Sequence, residues 1–324
     1  MRMRSIGSLQ VSVVGLGCAN FGRGIDRDAT ATIVGGAVEA GINFFDTADT
    51  YGMPRTTSEV FVGEALKPFR DSVIIATKFG RKLDDRRFGA KPDYVRSATE
   101  ASLKRLQTDR IDLMQLHIPD PLTPIEDTLG ALADLVREGK IREIGGSNFT
   151  AAQLRSVNVA ARAAGTPTFA STQASFSLLH RKPVADLLAE CEACGTSLLP
   201  YQPLFHGLLT GKYRTGAPVP QDSRMSGKSL STQNEFMSAS NLAAVAALTS
   251  YAQERGHSII ELAFGWLLAH RAVPSIIAGV STLGQVKSNA TACGWEITAD
   301  EMDAVRLILD ANAPSGDLLE INGL

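Results

Sequence analysis

Residues 73–78 read Val-Ile-Ile-Ala-Thr-Lys and residues 111–114 read Ile-Asp-Leu-Met, two short runs that are almost entirely apolar. Such runs are typical of parallel strands covered on both faces, and the crossovers between parallel strands are usually helices. Eight β-rich runs, each followed by a helical pattern, occur at 11–16, 43–46, 73–78, 111–117, 141–147, 168–173, 197–201 and 275–279. The alternation predicts an α/β protein with a parallel sheet.

Side chains that accept hydrogen bonds from free backbone N–H groups mark the starts of several helices. The spacing of a capping box occurs at Thr123, Thr150 and Thr298, and proline holds the first helical position after Thr123. Further helical patterns cover 95–106, 184–194 and 258–270. The long stretch 205–233 is rich in turn residues, and we expect it to cover a ligand because long loops inside compact domains are usually functional.

Eight βα units can form either an open doubly wound sheet or a closed (β/α)8 barrel. A doubly wound dinucleotide domain carries Gly-x-Gly-x-x-Gly after its first strand. Here Gly15 and Gly17 are followed by a third glycine, Gly22, two residues too late for that fingerprint. We therefore predict a (β/α)8 TIM barrel as a single domain over 1–324, with an N-terminal β-hairpin and a C-terminal helix and tail.

The composition is that of an ordinary globular protein, with 44% hydrophobic and 20% charged residues. Its net charge of −2 provides no field that attracts nucleic acid or an anionic membrane surface. Polar residues and glycines interrupt the apolar stretch 9–19, unlike a signal peptide, and no window has the roughly 20 apolar residues of a membrane span. Four cysteines are too few for a disulfide framework, which favours the cytoplasm.

Residues with metal-binding side chains lack the spacing of a metal site. The five histidines share no ligand spacing. Cys191 and Cys194 form an unpaired C-x-x-C inside a helical pattern, which is more typical of core packing than of zinc or redox chemistry. We therefore expect no bound metal.

Four residues that can carry proton chemistry fall where a (β/α)8 barrel places its catalytic groups, at the carboxyl ends of strands. Asp46, Lys78 and His117 end the second, third and fourth runs, and Tyr51 follows Asp46 by five residues. Adjacent strands lie about 5 Å apart, so the four side chains can converge. A strand-end Asp or His taken singly is more often structural, but the four together predict general acid–base catalysis at a carbonyl or alcohol.

The phenol of Tyr51 has an ordinary pKa near 10, too high for ready proton exchange at neutral pH. We expect the ammonium of Lys78 to lower this pKa by favouring the phenolate. Asp46 is expected to hold the ammonium in place, and His117 to donate or relay a hydrogen bond to a substrate oxygen.

The stretch 41–52, Gly-Ile-Asn-Phe-Phe-Asp-Thr-Ala-Asp-Thr-Tyr-Gly, contains two of these residues and resembles the signature of the aldo-keto reductases. Other matching motifs follow in the family's order: Ala-Thr-Lys-Phe-Gly at 76–80, Arg-Ile-Asp-Leu-Met-Gln-Leu-His at 110–117, Gly-Gly-Ser-Asn-Phe at 145–149, Gly-Leu-Leu-Thr-Gly-Lys-Tyr at 207–213 and Gly-Val-Ser-Thr at 279–282. The resemblance covers about residues 4–290, nearly the whole chain.

The resemblance implies a barrel that binds NADP(H) without a Rossmann domain and interconverts a small-molecule carbonyl (aldehyde, ketone or sugar) and an alcohol by hydride transfer. Tyr51 would be the proton donor of a catalytic tetrad with Asp46, Lys78 and His117. The residues assigned by the resemblance to the cofactor are Ser147, Asn148 and Gln173 at the nicotinamide amide, Tyr201 on its ring, Pro203, Leu204, Gly207 and Lys212 along the pyrophosphate, Gln285 and Asn289 at the adenine, and also Gly17, Gly279 and Ser281.

The preference for NADP(H) depends on basic side chains that could hold the 2′-phosphate. Ser281 stands where relatives often carry a basic residue, so we assign the phosphate to Lys212 and Arg224, since a guanidinium fork suits phosphate well. NAD(H) remains a second candidate.

The resemblance extends to the potassium-channel β-subunits, which use this fold as a cofactor-bound regulatory partner. Two features are expected to favour an enzyme: His117 is intact, and no appended segment precedes the barrel pattern. The oligomeric state leaves no signal in the sequence.

Overall fold

The computed structural model describes residues 1–214, 216–221 and 223–318. Its strands are β1 (Met3–Ile6), β2 (Leu9–Ser12), β3 (Val14–Gly17), β4 (Phe44–Asp46), β5 (Ile74–Phe79), β6 (Ile111–Leu116), β7 (Ile141–Ser147), β8 (Ser171–Ser175), β9 (Ser197–Tyr201) and β10 (Ile276–Gly279). Strands β3 to β10 close into a parallel barrel in the order β10-β3-β4-β5-β6-β7-β8-β9, while β1 and β2 form an antiparallel hairpin. The predicted (β/α)8 barrel with an N-terminal hairpin is therefore confirmed.

Helices surround the barrel. They are α1 (Arg27–Glu39), α2 (Thr57–Leu66), α3 (Pro92–Leu106), α4 (Ile125–Arg137), α5 (Ala151–Ala164), α6 (Ala185–Cys194), α7 (Leu230–Phe236), α8 (Ala239–Gln253), α9 (Ile259–Ala269), α10 (Leu283–Thr291) and α11 (Ala299–Asn312). Short 3-10 helices cover Lys67–Ser72, Lys182–Val184, Phe205–Thr210, Ala292–Gly294 and Ser315–Leu318. None of the helices in the described part of the chain is long and apolar enough to cross a bilayer.

The first predicted strand, 11–16, is two strands in the structure. Its first residues belong to β2 of the hairpin, and its last residues belong to β3 of the barrel. Ser12 lies at the break, where its hydroxyl donates to the carbonyl of Val14 at 2.7 Å and its backbone N–H donates to Asn43 Oδ1 at 2.7 Å. These bonds tie the last residue of β2 to the first residue of β3 and to the segment before β4, where the chain passes from the hairpin into the barrel.

Two of the three predicted capping boxes are present. Thr150 caps α5 and Thr298 caps α11, each with the reciprocal bond from the third helical residue. The prediction at Thr123 is wrong, because α4 begins at Ile125 and Pro124 occupies its N-cap without a side-chain bond. The carboxylate of Asp120 accepts from the hydroxyl of Thr123 at 2.7 Å and from the backbone N–H of Leu122 at 2.9 Å, which holds Thr123 in the turn before the helix.

The hairpin closes one end of the barrel. Ile6, Leu9 and Val11 are fully buried, and they pack against residues inside the barrel, including Phe44 and Leu113. The carboxyl ends of the strands, where Asp46 lies, are at the opposite end. The hairpin thus acts as a plug, a name kept below for residues 3–12. The opposite end, at the carboxyl ends of the strands, is left for ligands and is called the mouth below.

The predicted loop 205–233 begins with a 3-10 helix and runs into α7, and its residues 215 and 222 lie outside the described residues. The predicted C-terminal helix is α11, which packs on α8. Part of the tail returns toward the barrel mouth, where the backbone N–H of Gly316 donates to Asn241 and its carbonyl lies 2.8 Å from His180 Nδ1. Residues 319–324 of the predicted tail lie outside the described residues.

Candidate active site

Three neighbouring strands deliver the four predicted catalytic residues to one end of the barrel. Asp46 is the last residue of β4, and Lys78 in β5 pairs in register with Gln115 of β6. His117 follows β6 directly, and its backbone N–H donates to the carbonyl of Phe79 at 2.8 Å. Tyr51 lies in the loop after β4. The structure therefore brings the predicted tetrad together.

A buried ion pair forms the base of the site. Lys78 Nζ donates to Asp46 Oδ2 at 2.5 Å and to the carbonyl of Thr47 at 2.9 Å. Burial by itself lowers the pKa of the Lys78 ammonium, but the charge of Asp46 and the phenol of Tyr51 outweigh it, so this pKa lies above its ordinary value. Lys78 is therefore a permanent cation at neutral pH.

Tyr51 lies beside this cation. The ammonium of Lys78 lies 5.1 Å from the centre of the Tyr51 ring, and the ring meets that of His117 edge-on, with 5.7 Å between centroids. Burial raises the pKa of the phenol, the charge of Lys78 lowers it, and the net pKa is above its ordinary value. Lys78 therefore lowers the pKa of Tyr51 as expected, but burial outweighs this effect, so the phenol of the protein alone is less acidic than an ordinary tyrosine.

His117 is buried, and its pKa lies well below its ordinary value. Burial is the largest cause, followed by the positive charges of Lys78 and Arg81. The imidazole is therefore neutral at physiological pH. Its Nδ1 atom has no hydrogen-bond partner within the described residues. A neutral ring of this kind can donate an N–H to a ligand oxygen without adding a third positive charge to the site.

Two glutamines hold the second oxygen of Asp46. Gln173 Nε2 donates to Asp46 Oδ1 at 2.6 Å, and Gln115 Nε2 donates to the same oxygen at 3.2 Å. Gln173, which the resemblance assigned to the nicotinamide, therefore also orients the carboxylate that binds Lys78. Gln115 was missed by the sequence reasoning, although it lies two residues before His117 and so points to the same face of β6.

Asn148 links the next strands around the mouth. Its side-chain amide donates to the carbonyl of His117 at 3.0 Å and to the hydroxyl of Ser147 at 3.1 Å, and its carbonyl accepts from the hydroxyl of Tyr201 at 2.8 Å. Asn148 has a φ of 64°, in the left-handed region that asparagine tolerates better than most residues. Ser147, Asn148 and Tyr201 thus form one wall of the mouth, next to the tetrad.

The segment after β9 forms a cradle with a cation over it. Pro203 is buried and Leu204 half-buried at its start. Gly207 has a φ of 90°, and a Cβ atom there would lie 3.4 Å from the ammonium of Lys212. Glycine at this position leaves open the space beside the ammonium, which a negatively charged group could occupy.

More positive charge surrounds that cradle. The side chain of Arg224 is exposed to solvent. The pKa of its guanidinium is nevertheless lowered, first by the surrounding protein atoms and then by the charge of Arg23. Tyr213 and Tyr51 are also among its electrostatic neighbours. The pKa of the Lys228 ammonium is lowered in the same way, by burial and by Arg224 and Arg23. No carboxylate within the described residues pairs with Lys212, Arg224, Arg23 or Lys228. Arg23 and Lys228 were missed by the sequence reasoning, although Arg23 lies in the loop after the first barrel strand.

The remaining predicted cofactor residues lie where β10 enters α10. Gly17 and Gly279 end neighbouring strands and pair in register. The backbone N–H of Ser281 donates to Gln285 Oε1 at 2.7 Å, and Asn289 lies one turn further along the same helix, 5% exposed. Together with the cradle, these residues line one side of the mouth, from β9 across β10 to β3.

A second group of buried ionisable residues lies within electrostatic reach of Lys78. Glu59 accepts hydrogen bonds from Thr77 and Arg105, each at 2.6 Å. Asp49 is 1% exposed, and no side chain among the described residues hydrogen-bonds to its carboxyl. Burial and then the charge of Glu59 raise the pKa of Asp49 to about 8. Within the same described residues, no three His, Cys, Asp or Glu side chains gather as a metal site.

Comparison with known proteins gives a consistent answer. The sequence model of the Aldo/keto reductase family matches residues 13–310. The chain is 32% identical over 283 residues to L-glyceraldehyde 3-phosphate reductase of Escherichia coli, covering 84% of this chain and 81% of that protein. It is 31% identical to aldo-keto reductase YhdN of Bacillus subtilis (93% and 91% covered) and 33% identical to Protein tas of Escherichia coli (95% and 97% covered). The chain is therefore a member of the aldo/keto reductase family, and its activity is that of an oxidoreductase acting on carbonyl compounds.

Proposed function

We propose that the protein interconverts a small-molecule carbonyl and an alcohol with NADP(H), using Tyr51 as general acid and base. The observation that carries this proposal is the placement of the Tyr51 ring 5.1 Å from a buried ammonium and edge-on to a neutral imidazole. A proton donor, a cation that stabilises its conjugate base and a neutral hydrogen-bond donor are the parts needed to protonate a carbonyl oxygen.

A dinucleotide fits the residues on the β9 to β3 side of the mouth. Members of the family generally use NAD(P)H. Lys212 over the Gly207 cradle suits the phosphates of such a group, which supplies hydride when bound, and so do Arg23, Arg224 and Lys228, which pair with no carboxylate among the described residues. The number of cations supports NADP(H) over NAD(H), since only the former carries a 2′-phosphate. Ser147, Asn148, Tyr201, Gln285 and Asn289 are proposed to hold its two rings.

The protonation states of the site suit reduction at neutral pH. Tyr51 keeps its proton because burial raises the pKa of the phenol, so a donor is present before reaction. Lys78 remains charged and stabilises the phenolate that forms when the proton leaves. His117, neutral because burial lowers its pKa, orients the carbonyl oxygen by hydrogen bonding. Asp46, held by Gln115 and Gln173, keeps the ammonium pointed at the phenol.

The printed names of two relatives support a catalyst over a channel-associated regulatory partner. Both L-glyceraldehyde 3-phosphate reductase and aldo-keto reductase YhdN are named as reductases. The four free cysteines fit a reducing compartment, and we place the protein in the cytoplasm on that ground.

The test is the substitution Tyr51→Phe, which removes the proton donor and keeps the ring. We expect kcat for a panel of aldehydes and ketones to fall by about 100-fold or more, because general acid catalysis contributes about that much. The affinity for NADPH, read from fluorescence titration, should stay unchanged. Tyr251→Phe, in α8, is the matched control and should keep the wild-type rate. Equal rates in wild type and Tyr51→Phe on every compound, in both directions, would contradict the proposal.

A further inference from the structure

The loop after β5 begins with a guanidinium, that of Arg81, which has no part in the tetrad or among the cofactor residues. Arg81 follows Gly80 at the end of this strand, is partly exposed, and forms no ion pair with any residue that the structure describes. Arg86 of the same loop likewise forms no ion pair with a described residue, whereas Lys82 and Arg87 do. Lys82 pairs with Asp85 at 2.6 Å, and Arg87 pairs with Asp84 at 2.7 Å. The two acidic residues of the loop are therefore already occupied.

The charge of Arg81 reaches the centre of the mouth. It lowers the pKa of His117 after burial and Lys78, and it opposes the effect of burial on the pKa values of Tyr51 and Tyr201. Tyr51 lies in the loop after β4, His117 directly follows β6, and Tyr201 ends β9. Arg81 follows the carboxyl end of β5, three residues after Lys78, so it lies at the same end of the barrel as these residues and as the space where the carbonyl substrate is proposed to bind.

The backbone fixes Arg81 in this position. Gly80 has a φ of 104°, and a Cβ atom there would lie 2.6 Å from Leu116, so the chain passes close to β6. The carbonyl of Gly80 accepts from the N–H of Gly89 at 2.8 Å, which closes the base of the loop. Arg55, from the preceding βα loop, donates to the carbonyl of Leu83 at 3.0 Å. The guanidinium therefore extends from a braced loop.

Arg81 is separate from the cations assigned to the cofactor. Arg23, Lys212, Arg224 and Lys228 belong to segments that follow β3 and β9, which flank β10 in the barrel. Arg81 follows β5, which lies two strands beyond β3 on the far side of Asp46. The mouth thus has one cationic side for the proposed dinucleotide phosphates and an independent guanidinium near the tetrad.

We propose that Arg81 binds a carboxylate or phosphate group of the substrate, so that the preferred substrates are carbonyl compounds that carry a negative charge. A guanidinium near the reacting groups that pairs with none of the described carboxylates gains most from a planar or tetrahedral anion, which it binds through two parallel N–H bonds. The inference rests on the proposed function and goes further by naming the substrate class.

The test compares charged and neutral substrates of one shape. KM and kcat are measured with 3- and 4-carboxybenzaldehyde and with their methyl esters, for wild type, Arg81→Gln, Arg81→Lys and Arg86→Gln. Arg81→Gln should raise KM for at least one carboxylate by about tenfold, the size expected for loss of a charge-assisted hydrogen bond, and leave KM for the esters unchanged. Arg81→Lys should restore part of the difference. Arg86→Gln removes an equal charge from the same loop and should behave as wild type.

Two results would overturn the inference. One is an equal change in KM for carboxylates and esters, which indicates a structural effect, and the other is no change for either. If wild type reduces none of these compounds, the proposed function fails in this assay, and calorimetric titration with benzoate decides the inference alone. Benzoate affinity at least tenfold weaker in Arg81→Gln than in Arg86→Gln supports the anion site, and equal affinities refute it.

Discussion

At the scale of single residues, Asp49 makes the stability of the protein depend on pH. The folded state keeps a proton on this carboxyl up to a pKa of about 8, whereas an unfolded chain loses it near pH 4. Between these values the folded state binds one more proton than the unfolded state, so the wild type loses up to about 1.4 kcal/mol of stability for each unit by which the pH rises.

Asp49→Asn cannot lose a proton, so its stability relative to wild type should rise from pH 5 to pH 8 and level off above. Urea unfolding at a series of pH values measures this difference. Asp85→Asn, which alters an exposed carboxylate, is the control and should show a constant difference over the same range. Parallel curves for wild type and Asp49→Asn would show that Asp49 is already ionised in the folded protein.

The sequence predicted which residues meet at the site, but not all of their protonation states. Asp46, Lys78 and His117 could be found because each ends a β-rich run. The direction of the pKa shift of Tyr51 could not, because it depends on burial by residues distant in the chain. Gln115 became recognisable as a partner of Asp46 only once the register of β5 on β6 was known.

At the scale of helices, the contact between α2 and α3 depends on a missing side chain. A Cβ atom on Gly63 would lie 2.4 Å from the carbonyl oxygen of Leu106, which is backbone and cannot move aside. Gly63→Ala should therefore lower the free energy of unfolding by about 1–3 kcal/mol. Gly130→Ala in α4 is the matched control. It meets nothing within 4 Å and should raise the free energy of unfolding by up to about 1 kcal/mol through helix propensity.

Denaturant midpoints of both variants measure the two effects, and changes of the same sign would contradict the packing argument.

Helix starts were predictable where the capping side chain bonds only within its own helix, as at Thr150 and Thr298. They were not predictable at Thr123, which the carboxylate of Asp120 holds in the turn before the helix.

At the scale of the whole molecule, the plug stabilises the barrel from the end opposite the site. Leu9→Ala should lower the free energy of unfolding by about 2–5 kcal/mol, because it opens a cavity among fully buried residues. The affinity for NADPH and the KM values should not change in the folded fraction. Met3→Ala, on the exposed side of the same hairpin, should cost less than about 0.5 kcal/mol. A weakened NADPH affinity in Leu9→Ala would show that the two ends are coupled.

The number of βα units predicted the barrel, because eight units close a parallel sheet with helices outside it. The position of the plug could not be predicted in the same way. Its strands are short, and their partners Phe44 and Leu113 lie far along the chain, so only the tertiary structure shows that they meet.

The plug also limits the route by which ligands reach and leave the site. Because hairpin side chains close one end of the barrel, substrate, cofactor and product are expected to enter and leave at the other end. The ligand that binds deeper in the barrel must bind first and dissociate last, so slow release of the outer product delays the exchange of the ligand beneath it. We therefore expect an ordered kinetic mechanism in which excess product inhibits the reaction by blocking this exchange.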